Sequence, residues 1–531
     1  MAAKLDPHHL VALMSDTYMR RHDSPSSLQY GITDDQQTII RTFPILDSIA
    51  GICVSREASQ VVAVALQVDS DQQKINLTIA ENENVNPKLV AHLESVWAKL
   101  QALSRLYAVG REEESNKEAK ESPAKPKDTT LPLRIQIFRE IYKFSLEKQM
   151  KRVDKWWRRL LDFMIKLTAR REDVIQGMEE DLSQVVVGLH LVLQLVRRLH
   201  RNPAAELTED EWELVYVESI WANQKARLVL ADREEDGCEI LAKELNDSSS
   251  LNETFLLRRA LQKLTSLPHH IESLFEFAHS PHLLPGLQYR MSISTVPEQN
   301  NDVELPGSRQ QWLSILEIAA TKSLTWQMIY ARVLSNKFQQ KHCLCPVHPE
   351  CRLAQYLATS HGNQWDHVTA LSYIGISKPS CGACRIWMEA FSEVSQRKFY
   401  TRAFHGKWDW PWAMPMVEEP LTEVIAEESS HENTPNKSLS QTIARKISLE
   451  YISCLKAQNL FYPRADESFE EAESALTSAQ EESIISSQTA AWQQFGSMGE
   501  YFESLLSDNR LWDRTRGQQA AVTCFYFDLA A

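Results

Sequence analysis

Apolar spacing switches between two periods along this chain. Over 48–82 the period is short. "IAGICVS" and "VVAVALQV" are apolar and β-branched; after the turn "DSDQQ", "KINLTIAEN" alternates, with Ile75, Leu77 and Ile79 inward and Asn76 and Thr78 outward. These runs predict strands, the last two forming a hairpin over 61–79. In "PKLVAHLESVWAKLQALSRLY" the period lengthens: Leu89, Leu93, Val96, Trp97, Leu100 and Leu103 fall at helical spacing. The charged stretch 110–130 has neither period and reads as a linker.

From about 132 to 280 the pattern is almost wholly helical. Thr208 and Glu211 form a capping-box pattern that marks one helix start. The most apolar run, "VVVGLHLVLQLV" (185–196), is too short to span a bilayer and carries His190 and Gln194, so it predicts a buried helix. Residues 292–310 read as a second linker and 311–338 as a helix. Residues 370–376 form a short apolar run, a buried strand; 398–404 is extended. One more helix follows at 438–458, then a weakly patterned tail with "AVTCFYFDL" as a terminal strand. The expected class is α+β with a large all-helical portion. Its segments are 1–47 (helical), 48–108 (hairpin and helix), 109–131 (linker), 132–291 (helical domain or insertion), 292–310 (linker), 311–416 (core), 417–436 (acidic linker) and 437–531 (helix and tail). The hairpin is expected in one sheet with 370–376 and 398–404, which makes most of the intervening helical chain an insertion.

Charge changes the picture only locally. The 531 residues carry a formal net charge of −14, but most of the acid excess sits in 417–435 and 465–483, which contain no Lys or Arg. Both segments are expected to be mobile. Over 336–412 basic residues outnumber acids, which suits a phosphate-bearing substrate, nucleotide or nucleic acid. On "KRVDKWWRRLLDFMIKLTARR" (151–171), Arg152, Lys155, Arg159, Lys166 and Arg170 share one stripe opposite Trp156, Leu160, Phe163 and Leu167. That stripe is either a phosphate-binding face or a solvated helix side.

The nine cysteines are odd in number, and five lie between 343 and 384. This clustering predicts a metal site in a reducing compartment rather than a disulfide framework. With no signal-peptide pattern at the N-terminus, an intracellular protein, cytoplasmic or nuclear and off the membrane, is expected. "KHCLCPVHPECRLAQYL" (341–357) offers His342, Cys343, Cys345, His348 and Cys351 as ligands. His348-Pro349-Glu350 opens a helix, with Pro349 at the first helical position. Cys381-Gly-Ala-Cys384 opens a second, where the helix N-terminus favours the thiolate form. His348, Cys381 and Cys384 make a three-ligand set, the catalytic pattern for zinc, and Glu350 can lie beside the open position. Cys351, on the same helical face as His348, is a possible fourth ligand or a small buried thiol. Cys343 and Cys345 read as strand or loop residues.

These two helix starts have the His-x-Glu and Cys-x-x-Cys arrangement of the zinc base deaminases. On "VHPECRLAQYL", "YIGISKPSCGACRIW" and "FYTRAFHGKWDWPWAMP" the chain resembles the cytidine deaminase-like superfamily, and is most similar to the OTT-type deaminase-like proteins common in fungi. The superfamily usually has Pro directly before the first Cys; here Ser380 intervenes after Pro379. The resemblance implies a three-layer α/β/α domain and zinc-dependent hydrolytic deamination with Glu350 as the proton carrier. It also suggests Asn82 as a substrate contact, where a strand-ending turn residue is the alternative. Trp408, with Trp410 and Trp412, can stack a base or cover a sheet. His405 can line the pocket entrance or cap a strand. The competing class is a catalytically inactive, zinc-stapled scaffold that binds proteins through its helical region.

Overall fold

The computed structural model describes residues 6–17, 45–56, 60–117, 129–169, 176–202, 206–231, 255–280, 284–308, 311–312, 314–315, 341–395, 397–402, 407–415 and 439–450. They fall into two compact units. One holds the described residues up to Ser145 and those from His270 to 450; the other holds those between Leu146 and His269. His405, both acidic segments, the tail strand and most of 311–338 lie outside the described residues.

The first unit is built on a four-stranded sheet. β1 (Val62–Asp69) and β2 (Lys74–Glu81) are the expected hairpin, and Gln73 takes a positive φ of 52° in its turn. β3 (Arg290–Thr295) runs parallel to β2, so the order is β3-β2-β1-β6, where β6 is Gly375–Ile376. Ala63 pairs with Ile376 and Val64 with Gly375. Tyr373 bridges to Tyr400 in parallel, tying the extended segment to the strand. β4 (Asn300–Glu304) and β5 (His342–Pro346) form a separate antiparallel pair. The stretch 292–310, expected as a linker, therefore carries strands. Its polar residues obscure them: Ser292 and Ser294 donate to Asn76 on β2 at 3.1 and 3.0 Å.

Asn76 and Thr78, expected to face solvent, are buried. Asn76 donates to Gln67 and Thr78 and accepts from the two β3 serines. Alternation marks two faces here but not a wet one, because burial of hydrogen-bonded polar groups leaves the same pattern. The run "IAGICVS" is not the strand that its apolar residues predict. It contributes to a helix, Ile45–Ile52, since a short apolar run fits either element until its partners are known.

Small residues set how closely the layers approach. Ala63, Ala65, Ala80, Ile374 and Ile376 belong to one apolar cluster with Cys351, Leu353, Cys384 and Trp387. Gly375 lies against the helix Ile45–Ile52: a Cβ there would meet the Leu46 backbone at 2.2 Å. Other helices of this unit, α1 (Pro7–Thr17), α2 (Ile45–Ile52), α3 (Pro87–Lys117) and α4 (Leu131–Phe144), precede the second unit in the chain.

The second unit stacks α5 (Leu146–Ala169), α6 (Gln176–Arg201), α7 (Glu209–Ala231) and α8 (Leu257–Leu264); α9 (Ser266–His279) and α10 (Leu284–Gln288) follow α8 in the chain. Its core includes Trp157, Leu160, Met164, Val185, Val186, Ala222, Ala226 and Leu261. The capping box is present: Glu211 N–H donates to Thr208 Oγ1 at 3.2 Å and Thr208 N–H to Glu211 Oε2 at 2.8 Å. Gly188 lets α6 approach α7, with Glu218 and Ala222 at 3.2–3.5 Å from where a Cβ would stand. Residues 185–196 lie on α6 as a buried helix. Glu180–Arg201 is long and apolar enough to cross a membrane, but 78% of its apolar window is buried inside the protein.

Candidate metal centre

Two helix starts meet beside the sheet. β5 leads through Val347, bridged to Ala413, into His348. His348 is the N-cap of α11 (Pro349–Ala358) with extended angles of −64° and 145°, and its side chain makes no capping bond. Pro349 takes the first helical position, where no N–H is needed. The second helix is α12 (Gly382–Ser395), opened by Arg385 N–H donating to Cys381 O at 3.0 Å. A Cβ at Gly382 would come 2.5 Å from the Trp408 indole, so this glycine allows the ring to lie on the first turn. Gly382 N–H donates to Lys407 O at 2.9 Å.

These starts bring His348, Cys381 and Cys384 together. His348 Nδ1 lies 3.6 Å from Cys381 Sγ and 3.2 Å from Cys384 Sγ, and the two sulfurs are 3.5 Å apart. Among the described residues this is the one group of three such side chains close enough to hold a metal ion. The spacing fits zinc. With Zn–S and Zn–N bonds of ordinary length, the edges of a tetrahedron are roughly 3.5–3.8 Å. Imidazole with two thiolates is also a donor set that zinc favours.

Electrostatics point the same way. Burial pushes the Cys381 and Cys384 thiols well above the ordinary thiol value; Cys384 adds to the rise at Cys381, and Cys351 to that at Cys384. Burial opposes charge on His348 too, yet Cys381 and Glu350 draw it up to about 9. Burial disfavours thiolates here without a balancing charge, and a bound cation would supply one.

Glu350 is 3% exposed in the first turn of α11, and its charge acts on His348, Cys351 and Cys384. Cys351 is fully buried; its thiol reaches the Cys384 carbonyl oxygen at 3.9 Å and interacts with the Cys384 thiol, yet it stands outside the three-residue group. Burial pushes it up to about 11. Cys343 and Cys345 lie on β5, also outside the group, and exposed His342 pairs with Asp302 at 3.3 Å.

The remaining candidates are placed unevenly. Asn82 closes the hairpin: its Oδ1 accepts from Val61 N–H at 3.0 Å, and its own N–H donates to Val61 O at 3.2 Å. Trp408 is 4% exposed, and its Nε1 is buried with no hydrogen-bond partner among the described residues. Trp412 is fully buried, so the alternating tryptophans largely cover the core.

Two supports have no signal in local spacing. Asp47 on α2 accepts from Tyr373 Oη and, at 2.9 Å, from Ile376 N–H, which aligns the strand leading to Cys381. Burial raises its carboxyl, against those two bonds. Arg352, buried on α11, donates to Glu81 O and joins the helix that starts at His348 to the end of β2. Burial lowers it to about 10. The partners lie hundreds of positions apart, so only the fold reveals them.

No curated protein matches the chain, and no solved structure does. The family model OTT_1508_deam, described as a "-like deaminase", matches residues 347–416, the segment that carries His348, Glu350, Cys381 and Cys384.

Proposed function

We propose that this chain is a zinc-dependent hydrolytic deaminase acting on an amino-bearing nucleobase in a nucleotide or nucleic acid. The observation that carries the reading is the three-residue group itself: His348, Cys381 and Cys384 converge, while Cys351, the candidate fourth ligand, stands outside it. His348, Cys381 and Cys384 hold the metal. When bound by three protein ligands, zinc supplies Lewis acidity that makes water a nucleophile near neutral pH. Glu350 accepts a proton as water adds to the amine-bearing ring carbon, then delivers it to the departing nitrogen. The carbon–nitrogen bond breaks, ammonia leaves and a carbonyl takes its place. The matched deaminase segment supports this reading.

The finer parts of the proposal are a three-layer cytidine deaminase-like arrangement, as in the OTT-type proteins common in fungi, split by the helices after Ser145. An intracellular setting suits the reduced thiols. Asn82, His405 and Trp408 are proposed substrate contacts. The place of Trp408 on the first turn of the Cys-x-x-Cys helix supports the last of them.

The test is Glu350→Gln. We expect one zinc per chain and unchanged thermal stability, with ammonia release reduced by about 10²–10⁴. Candidate substrates are cytidine and adenosine as free nucleosides, nucleotides, and single-stranded DNA and RNA. If wild type and variant are equally inactive on all of them, the zinc-stapled scaffold replaces the enzyme reading. If the variant loses zinc, the ligand assignment is wrong.

A further inference from the structure

The second unit sorts its surface charge by sign. α5 carries seven basic residues, Lys148, Lys151, Arg152, Lys155, Arg158, Arg159 and Lys166, against Glu147, Asp154 and Asp162. On a helical projection all seven fall within an arc of about 120°, and Asp162 is the one acid inside it. The opposite side, with Trp156, Trp157, Leu160, Leu161, Phe163, Met164 and Leu167, is buried in the core. α8 packs on α5 and adds Arg258, Arg259 and Lys263 with no acid. The two basic faces meet at Trp156: Lys155 Nζ lies 5.5 Å from its ring centroid and the Arg259 guanidinium carbon 5.9 Å. α7, in the same unit, instead carries Glu209, Asp210, Glu211, Glu213 and Glu218 against Lys225 and Arg227.

Folding does not call for this sorting. Like charges at i and i+4, such as Lys148 with Arg152, Lys151 with Lys155 and Lys155 with Arg159, each cost a helix a few tenths of a kcal/mol. Glu147, Asp154 and Asp162 stand one turn from Lys151, Arg158 and Lys166 and offset part of this repulsion, but seven cations against three acids leave an excess of four on the helix. A polyanion laid along the face relieves it as well.

We infer that the α5–α8 face binds the phosphodiester backbone of a nucleic acid, outside the segment that matches the deaminase family. Lys148 to Lys166 spans about 27 Å along the helix axis, long enough to follow several phosphates. An anionic membrane fits less well. A surface-seeking helix needs exposed Trp, Phe or Leu beside its cations, and here Trp156, Trp157, Leu160 and Phe163 are all buried. The inference uses no catalytic step and does not depend on the deaminase reading.

The test uses the full chain and fluorescence anisotropy with a labelled 20-nucleotide single-stranded DNA, an RNA of the same sequence and the DNA duplex. Phosphatidylserine vesicles and polyglutamate serve as competing anions. Binding to at least one nucleic acid is expected at 50 mM salt, weakening steeply as salt rises. Lys155, Arg158 and Arg259 are exposed. The triple variant Lys155→Glu/Arg158→Glu/Arg259→Glu should bind at least tenfold more weakly. Its salt slope should fall by about one unit per lost phosphate contact. Lys88→Glu/Arg105→Glu, on exposed residues of the other unit, should bind as wild type does. Circular dichroism checks the fold, and the corresponding triple Gln variant serves if charge reversal unfolds the unit. Wild-type affinity in a folded triple variant overturns the inference. So does binding to the vesicles or polyglutamate with none to nucleic acid. A chain that binds nucleic acid but never releases ammonia keeps this inference and sinks the deaminase reading; the converse result does the reverse.

Discussion

Helices 146–231 and the four-stranded sheet bury their side chains by different routes. In the helical unit each element packs mainly on neighbours in the chain, α5 on α6 and α6 on α7. In the sheet unit, Val62–Asp69 pairs with Gly375–Ile376, and Asp47 reaches Tyr373. Local contacts make a stack that helical periodicity already describes. Non-local contacts cost more chain entropy to form, but they bring chemically distinct residues from distant segments to one point. The candidate metal centre lies in the second kind of region. Its candidate ligands come from two helix starts, and its supports come from α2 and β2.

That contrast is most open to challenge through zinc. A ligand that binds only the folded state stabilises it by about 4 kcal/mol when its free concentration is a thousandfold above Kd. Chelation should therefore destabilise the sheet unit by that order and leave the helical unit untouched. Peptide-resolved hydrogen exchange should speed up over 62–81 and 349–395 and stay unchanged over 146–231. Equal acceleration in both would mean that the two regions do not differ in this way.

Acid should weaken both units, each through one buried histidine. Burial lowers His190 on α6 to about 4, with Arg197 adding to the effect. Burial also lowers His92 on α3 to about 4, against the pull of Glu140. The unfolded chain binds these protons near pH 6.5, whereas the folded one holds off until about 4. Stability is thus fully present above pH 6.5 and lost as pH falls through that window, by about 3 kcal/mol per histidine. His190→Phe should flatten the pH dependence of the helical unit alone, and His92→Phe that of the sheet unit alone. Urea unfolding followed by exchange at pH 7 and pH 5 reads both.

The smallest expected effect comes from one substitution made in both places. Gly375→Ala pushes a Cβ into the Leu46 backbone, which cannot yield cheaply, so a loss of about 2 kcal/mol is expected. Gly188→Ala meets the end of the Glu218 side chain at 3.2 Å, which can shift. Alanine also gains about 1 kcal/mol of helix propensity over glycine there. Near-neutral stability is therefore expected for Gly188→Ala. Equal losses for the two variants in urea titrations would contradict the difference in packing.

Apolar spacing alone marked the helices between 146 and 231 and the hairpin at 61–79, and residue types marked the capping box at Thr208 and Glu211, because each is a short-range pattern; the boundary at Leu146, rather than near 132, it did not mark. Residue types at two helix starts likewise pointed to His348, Cys381, Cys384 and Glu350, since Pro349 and the Cys-x-x-Cys spacing are local signals. Tertiary structure decided the rest. Only the fold turned "IAGICVS" into part of a helix, and only the fold placed β3 beside β2 with its serines on Asn76. It also aimed Cys351 at a carbonyl and set Asp47 and Arg352 behind the ligands. A short apolar run, a buried amide and a spare thiol each suit several environments. Their roles follow from partners far away in the chain, and no local pattern records those partners.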